Sequence, residues 1–395
     1  MNARIFTRAV WIVSIVSFLT DISSEMLYPI MPLYLKSIGF SIVLIGVLEG
    51  FAEAIAGVSK GYFGKMSDLT GKRVPFVRLG YILSAVSKPM MGLLTYPFWI
   101  FGARTMDRIG KGVRTSARDA ILSDESTPEN KGKVFGFHRG MDTLGAVLGP
   151  LAALIYLGYY PENYRTLFFL AFIPAVIGVA FTFILKEKNR DYKKYDYKTK
   201  FFSFLSYWKE SGTEYKKLVA GLFAFTLINS SDIFLLLMVK NIGYSDKEVI
   251  MVYIFYNLVY ALSSLPIGII ADKTGLKVNY IFGLIIFAVV YGSMAANPGI
   301  EFVYFIFFLY GIYAASTEGI SKAWITNISG KKDTATAIGF YTGLNSLFSL
   351  LASVIAGLLW YSFSPKVMFV FSSAGAVLVV IYFIAVFRKN LGKSV

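Results

Sequence analysis

The residues best suited to chemistry begin with one short stretch. Arg104, Asp107, Arg108, Lys111, Arg114 and Arg118 follow one another at intervals of three or four. At 3.6 residues per helical turn, those intervals keep all of them within an arc of about 120°. Such a stripe can hold an anionic group through charge-assisted hydrogen bonds. Other sets share a face in the same way: Asp21, Glu25 and Tyr28; Glu49, Glu53 and Lys60; His138, Arg139 and Asp142. A carboxyl moved between wet and dry surroundings takes up and releases protons. Asp21, Glu25 and Asp142 are therefore candidates for proton coupling, with Glu49 and Glu53 behind them. His138, with an ordinary pKa of about 6.5, suits proton transfer or a hydrogen-bonded packing role. It joins Tyr28, Arg104, Arg108, Lys111, Arg139, Asn229, Asp232, Tyr341 and Asn345 as candidates for binding a substrate. The competing reading is that these charges only neutralise one another, as Arg139 with Asp142 or Asp107 with Lys111 can along one helix.

These side chains belong to a chain too apolar for water. Of 395 residues, 56% are hydrophobic and 16% charged, against roughly 45–50% and 25% in ordinary soluble domains. That excludes a soluble enzyme, a disordered tail and a nucleic-acid-binding domain, in spite of a net charge of +15. With no cysteine there is no disulfide, no thiolate chemistry and no Cys-ligated metal. His138 is the single histidine, so a His-rich metal site is excluded too, and no cofactor is expected. No G-x-x-x-x-G-K-[ST] loop is present for ATP.

The elements that must position the charges are membrane spans. About 20 mostly apolar residues cross about 30 Å of hydrocarbon as a helix. Runs 9–34, 42–63, 74–94, 97–119, 134–157, 164–185, 218–239, 249–270, 278–296, 301–321, 336–360 and 366–387 meet that need. The expectation is an all-α integral membrane protein with twelve transmembrane helices. The first run is long and ends without a small-residue cleavage site, so it reads as a retained span. With both termini cytoplasmic, the inner segments and adjoining helix ends carry 32 Lys/Arg and the outer ones five. This satisfies the positive-inside rule and points to a multi-pass protein of the cell membrane. Residues 186–217 form the one long hydrophilic segment, with ten basic and five acidic residues. Within it, Phe201, Phe204, Leu205 and Trp208 share one helical face, which predicts a short helix on the inner membrane surface. The chain is thereby divided into an N-terminal six-helix bundle (1–185), the linker (186–217) and a C-terminal six-helix bundle (218–395).

The two halves repeat each other. Gly64, Asp68, Gly71 and Arg73 recur 204 residues on as Gly268, Asp272, Gly275 and Lys277. Ser37-Ile-Gly39-Phe-Ser41 recurs as Asn241-Ile-Gly243-Tyr-Ser245 at the same offset. Gly136-Phe-His138-Arg139-Gly140-Met-Asp142 recurs as Gly339-Phe-Tyr341-Thr342-Gly343-Leu-Asn345 at 203. Duplicated halves with the working site at their interface are typical of secondary transporters. On these loops the sequence resembles the major facilitator superfamily over essentially its whole length. The resemblance implies two pseudo-symmetric six-helix bundles around a central cavity. It also implies that Gly64, Asp68, Gly71, Arg73 and their copies latch the cytoplasmic side shut. Leu69 departs from that pattern where a basic residue is common, while Lys273 keeps it. Gly145-x-x-x-Gly149-Pro150 looks like the antiporter motif of that superfamily, with Ala152 and Ala153 in place of its closing glycines. The stretch from Gly110 to Asp119 looks like that of a prokaryotic subgroup.

The expectation is a non-enzymatic, monomeric secondary transporter. It moves a small solute by alternating access, coupled to protons, with export preferred to uptake. Proton-linked uptake of an organic anion or phosphate ester is the alternative that the basic stripe supports. A lipid flippase on the same scaffold is another.

Overall fold

The computed structural model describes residues 6–28, 30–40, 42–188, 200 and 202–387, which fold as helices joined by short turns. In chain order the helices are α1 (Arg8–Leu27), α2 (Met31–Ser37), α3 (Ile42–Thr70), α4 (Val74–Leu93) and α5 (Pro97–Asp124). Then come α6 (Lys131–Tyr159), α7 (Tyr164–Thr182), α8 (Tyr207–Glu210), α9 (Thr213–Ile228) and α10 (Asp232–Ile242). The last are α11 (Asp246–Thr274), α12 (Leu276–Ala295), α13 (Val303–Ile328), α14 (Thr334–Ser362) and α15 (Pro365–Val386). Nine segments among the described residues are long and apolar enough to cross a membrane, with α9 and α10 counted together. Helices α3, α4 and α5 have the length, at 29, 20 and 28 residues, but are more polar.

Two of the expected spans are interrupted. The first breaks between α1 and α2, where a proline occupies the first turn of α2 and supplies no N–H. The seventh breaks at Asn229-Ser230-Ser231, whose side chains compete with the helical backbone for hydrogen bonds. There Ser231 accepts from the Ile233 N–H and starts α10 afresh. Several helices run well past the apolar stretches, with α5 reaching Asp124 and α13 reaching Ile328. Hydropathy marks only the hydrocarbon-facing part, whereas each added helical turn is favourable once the helix has begun.

The chain forms two compact units. The first comprises Met1–Glu125, Met141–Glu210 and Ser329–Ser346. The second comprises Ser126–Gly140, Ser211–Ile328 and Leu347–Val395. Thus α6 gives its first turns to the second unit, and α14 gives its first turns to the first. Inside the first unit α5 packs on α3 and α4, and α7 packs on α1 and α4. Inside the second, α13 packs on α11 and α12, and α15 packs on α9 and α12, which are the repeat-related pairings. Among the described residues the glycines with positive φ are Gly39 (91°), Gly71 (67°), Gly243 (120°) and Gly275 (96°). They are two repeat pairs at turns that residues with a Cβ adopt only at a cost. In the linker, Phe204 is buried against α3 at Gly61, while Leu205 and Trp208 are partly exposed. Phe201 lies outside the described residues.

Candidate functional site

The polar stripe of α5 meets carboxylates from its neighbours. Lys88 on α4 donates to Asp107 at 2.9 Å, and Arg104 pairs with the same carboxylate at 3.5 Å. Lys88 also donates to Ser24 on α1 at 3.2 Å. Arg108 pairs with Glu53 on α3 at 3.1 Å. Arg114 donates to Ser84 at 2.5 Å and lies 4.6 Å from the Tyr81 ring centre. Arg118 holds Asp119 at 2.9 Å and reaches Asp142 of α6 at 3.8 Å. All the stripe residues except Lys111 are buried. Asp107 therefore pairs with Lys88 and Arg104 rather than with Lys111. In a dry interior, opposed helices bring charges closer than neighbouring turns of one helix do. Lys111 is exposed and lies within electrostatic reach of Asp21 and Glu25.

One pair of acids is different. Asp21 on α1 and Asp142 on α6 lie within electrostatic reach of each other. Asp142 also accepts from Ser17 at 2.7 Å, and Arg118 donates to that serine oxygen at 2.9 Å. The helices meet closely because of Gly145: a Cβ there would lie 2.5 Å from the Phe18 carbonyl and 2.9 Å from the Asp21 Cβ.

The repeated loops place their acids at helix starts. Asp68 accepts from the N–H of Thr336 at 2.5 Å, from its hydroxyl at 2.6 Å and from the Ala335 N–H at 3.3 Å. It thereby caps α14 and favours the positive end of its dipole. Arg73 pairs with Asp68 at 2.5 Å and donates to Ser67 at 3.1 Å. Asp272 caps α6 in the same manner, accepting from the N–H groups of Gly132 at 2.7 Å and Lys133 at 2.8 Å. Its loop partner behaves differently, since Lys277 donates to the carbonyl of Phe387 at the end of α15. Gly64 and Gly268 allow the close approach, each with a neighbouring backbone where a Cβ would stand. Beside the first loop, burial pushes the Asp333 carboxyl above its ordinary range, and nearby Asp68 and Glu210 add to that.

The remaining candidates are spread over both units. In the second unit Arg139 pairs with Glu318 at 3.5 Å and donates to the Tyr260 hydroxyl. His138 is buried. Asn229 donates to Tyr313 at 3.1 Å, and Asp232 accepts from Tyr310 at 2.6 Å. In the first unit Tyr28 is exposed at the end of α1, and Tyr341 and Asn345 are half-buried on α14. The side chain of Glu49 lies outside those described. The sequence reading passed over Ser17 and Lys88 as site residues. A lone lysine in the apolar run of α4 was a signal for Lys88, whereas Ser17 had none. Glu187 was also missed: its carboxylate caps α4 through the N–H groups of Arg73, at 2.9 Å, and Val74, at 2.7 Å.

A helical membrane chain built of two duplicated halves has the architecture typical of secondary transporters. The sequence model of the Major Facilitator Superfamily matches residues 13–239 and again 218–394. The chain belongs to that superfamily. It is 33% identical over 384 residues to an uncharacterised MFS-type transporter of Methanocaldococcus jannaschii, covering 95% of this chain and 94% of the relative. It is 22% identical over 377 residues to Multidrug resistance protein 2 of Bacillus subtilis, covering 92% and 90%. The crystal structure of the human organic anion transporter MFSD10 (TETRAN) shares the fold, with a TM-score of 0.81 at 16% identity, over 95% of this chain and 99% of that one.

Proposed function

We propose that this chain is a proton-coupled exporter that exchanges protons for a small solute by alternating access. Its twelve spans form two six-helix bundles around a central cavity, as a monomer in the cell membrane with both termini cytoplasmic. The observation that carries the coupling is the approach of Asp21 to Asp142 where Gly145 brings α6 against α1; two carboxyls so placed cannot readily both ionise, and in this reading they share a proton. Ser17 and Arg118 stabilise the ionised partner, so the pair passes between one and two protons as access changes. Glu25 and Glu53 supply reserve acids near Lys111 and Arg108. Because most of the stripe is already neutralised, Lys111 and the half-buried faces of α1 and α14 are the groups left to meet solute. Gly64, Asp68, Gly71 and Arg73, with Gly268, Asp272, Gly275 and Lys277, latch the cytoplasmic side. The name of a relative matched over 46% of this chain, Citrate exporter 1 of Aspergillus niger, agrees with export.

The test begins with a thermal-shift screen of metabolites and drugs, since a bound ligand stabilises by mass action. The ligand found is then loaded into proteoliposomes under an imposed pH gradient. Wild-type flux should follow the gradient, and Asp21→Asn and Asp142→Asn should abolish that dependence while leaving ligand binding measurable. Flux indifferent to the gradient overturns the coupling.

A further inference from the structure

The second unit holds an acid with no counter-cation. Asp232 opens α10 at the break in the seventh span, its carboxylate accepts from the Tyr310 hydroxyl at 2.6 Å, and Tyr256 lies within reach of it. Among the described residues no lysine or arginine pairs with it. The charged group that acts on it is Glu318 on α13, which is also negative, and Glu318 itself pairs with Arg139 at 3.5 Å. The contrast with the first unit is direct, because Glu53, Asp107 and Asp119 there each face a lysine or arginine. The surroundings add further acceptors. The side-chain oxygen of Asn229 is buried without a donor. The end of α9, with the negative pole of its dipole, stops at the same break. Rings complete the lining: Tyr256 and Tyr310 lie 4.9 Å apart by ring centre, and Tyr310 and Tyr313 lie 5.3 Å apart. Carboxylate, amide oxygen, helix end and ring faces all attract positive charge.

We propose that Asp232, Asn229 and the tyrosines at this break bind a single positive charge, either an alkali cation or the ammonium group of a solute. The inference rests on the transporter reading for its purpose, but binding is measurable without transport. The full-length protein in detergent is titrated with sodium chloride and, separately, with tetramethylammonium chloride, and the heat of binding is followed by calorimetry. One of the two should bind saturably: sodium assigns the site to a coupling ion, tetramethylammonium to a solute ammonium. Asp232→Asn should weaken that binding by at least about tenfold, as expected for loss of a charged partner, and Asp232→Glu should retain it. Should Asp232→Asn fail to fold, acidification of the wild type serves instead. Protonation of Asp232 must weaken binding while Tyr256, Tyr291 and Tyr310 stay neutral. Saturation by neither cation, unchanged affinity in Asp232→Asn, or binding indifferent to acidification overturns the proposal. Wild-type flux indifferent to the pH gradient, with cation binding intact, refutes the proton coupling alone and leaves this site standing.

Discussion

Replacing Asp68 by asparagine should release the first turn of α14 from α3. The substitution removes an ion pair at 2.5 Å between side chains only 3% and 4% exposed. It also replaces a charged acceptor by a neutral one for the N–H and hydroxyl of Thr336. Removing one partner of a buried pair costs about 3–5 kcal/mol. Arg73 retains Ser67 at 3.1 Å and Asp124 at 3.7 Å, so the lower end, about 3 kcal/mol, is expected. At 1.36 kcal/mol per decade, that shifts the packing equilibrium on the order of 100-fold. Asp272 accepts only backbone N–H bonds among its described contacts. Loss of such a cap costs about 1 kcal/mol, or about fivefold. The chain contains no cysteine, so reporters can be added singly. Ser116→Cys sits under the α3–α14 contact and Ser264→Cys under the α11–α6 contact, and both serines are fully buried. Maleimide labelling of the first should accelerate far more in Asp68→Asn than labelling of the second does in Asp272→Asn. Equal acceleration, or none in monodisperse protein, would refute the assignment of the stronger latch to the first loop.

Three further outcomes follow from the same contacts. Gly71→Ala and Gly275→Ala place a Cβ at φ of 67° and 96°, and each should cost about 1–2 kcal/mol, read as a lower unfolding temperature. The raised Asp333 carboxyl favours its neutral form in the folded latch. That contribution is complete below the ordinary carboxyl value of about 3.9 and is lost as pH rises through the raised one. Labelling of Ser116→Cys, taken relative to Ser264→Cys at the same pH to cancel protonation of the thiolate, should therefore slow on mild acidification, and Asp333→Asn should flatten that ratio. Gly61→Leu should expel Phe204 from its notch on α3, seen as faster proteolysis of the linker without loss of the helical signal.

Much of the candidate site was legible because periodicity reports which residues share a face. Asp21 and Glu25, and the stripe from Arg104 to Arg118, could be placed by spacing alone. The loop acids Asp68 and Asp272 were legible through their repetition and through the physics of helix capping. What spacing could not supply was the identity of partners on other helices. Asp107 meets Lys88, nineteen positions back in the chain, and Asp142 meets Ser17, 125 positions away. Local pairs such as Asp107 with Lys111 satisfy the rule for an isolated helix, but packing brings stronger partners from outside. The breaks between α1 and α2 and between α9 and α10 were concealed because hydropathy is insensitive to backbone direction.

The sequence by itself determined the membrane environment, the duplication and the superfamily, since all three depend on composition and on order along the chain. It also determined where left-handed turns must fall, because glycine at Gly39, Gly71, Gly243 and Gly275 is a local steric requirement. Only the tertiary structure decided which charges are neutralised and which acids lie side by side. It also decided that α6 and α14 divide their turns between the two units. Those outcomes depend on distances of a few ångströms between helices far apart in the chain, where electrostatic energy changes steeply and burial removes the screening of water.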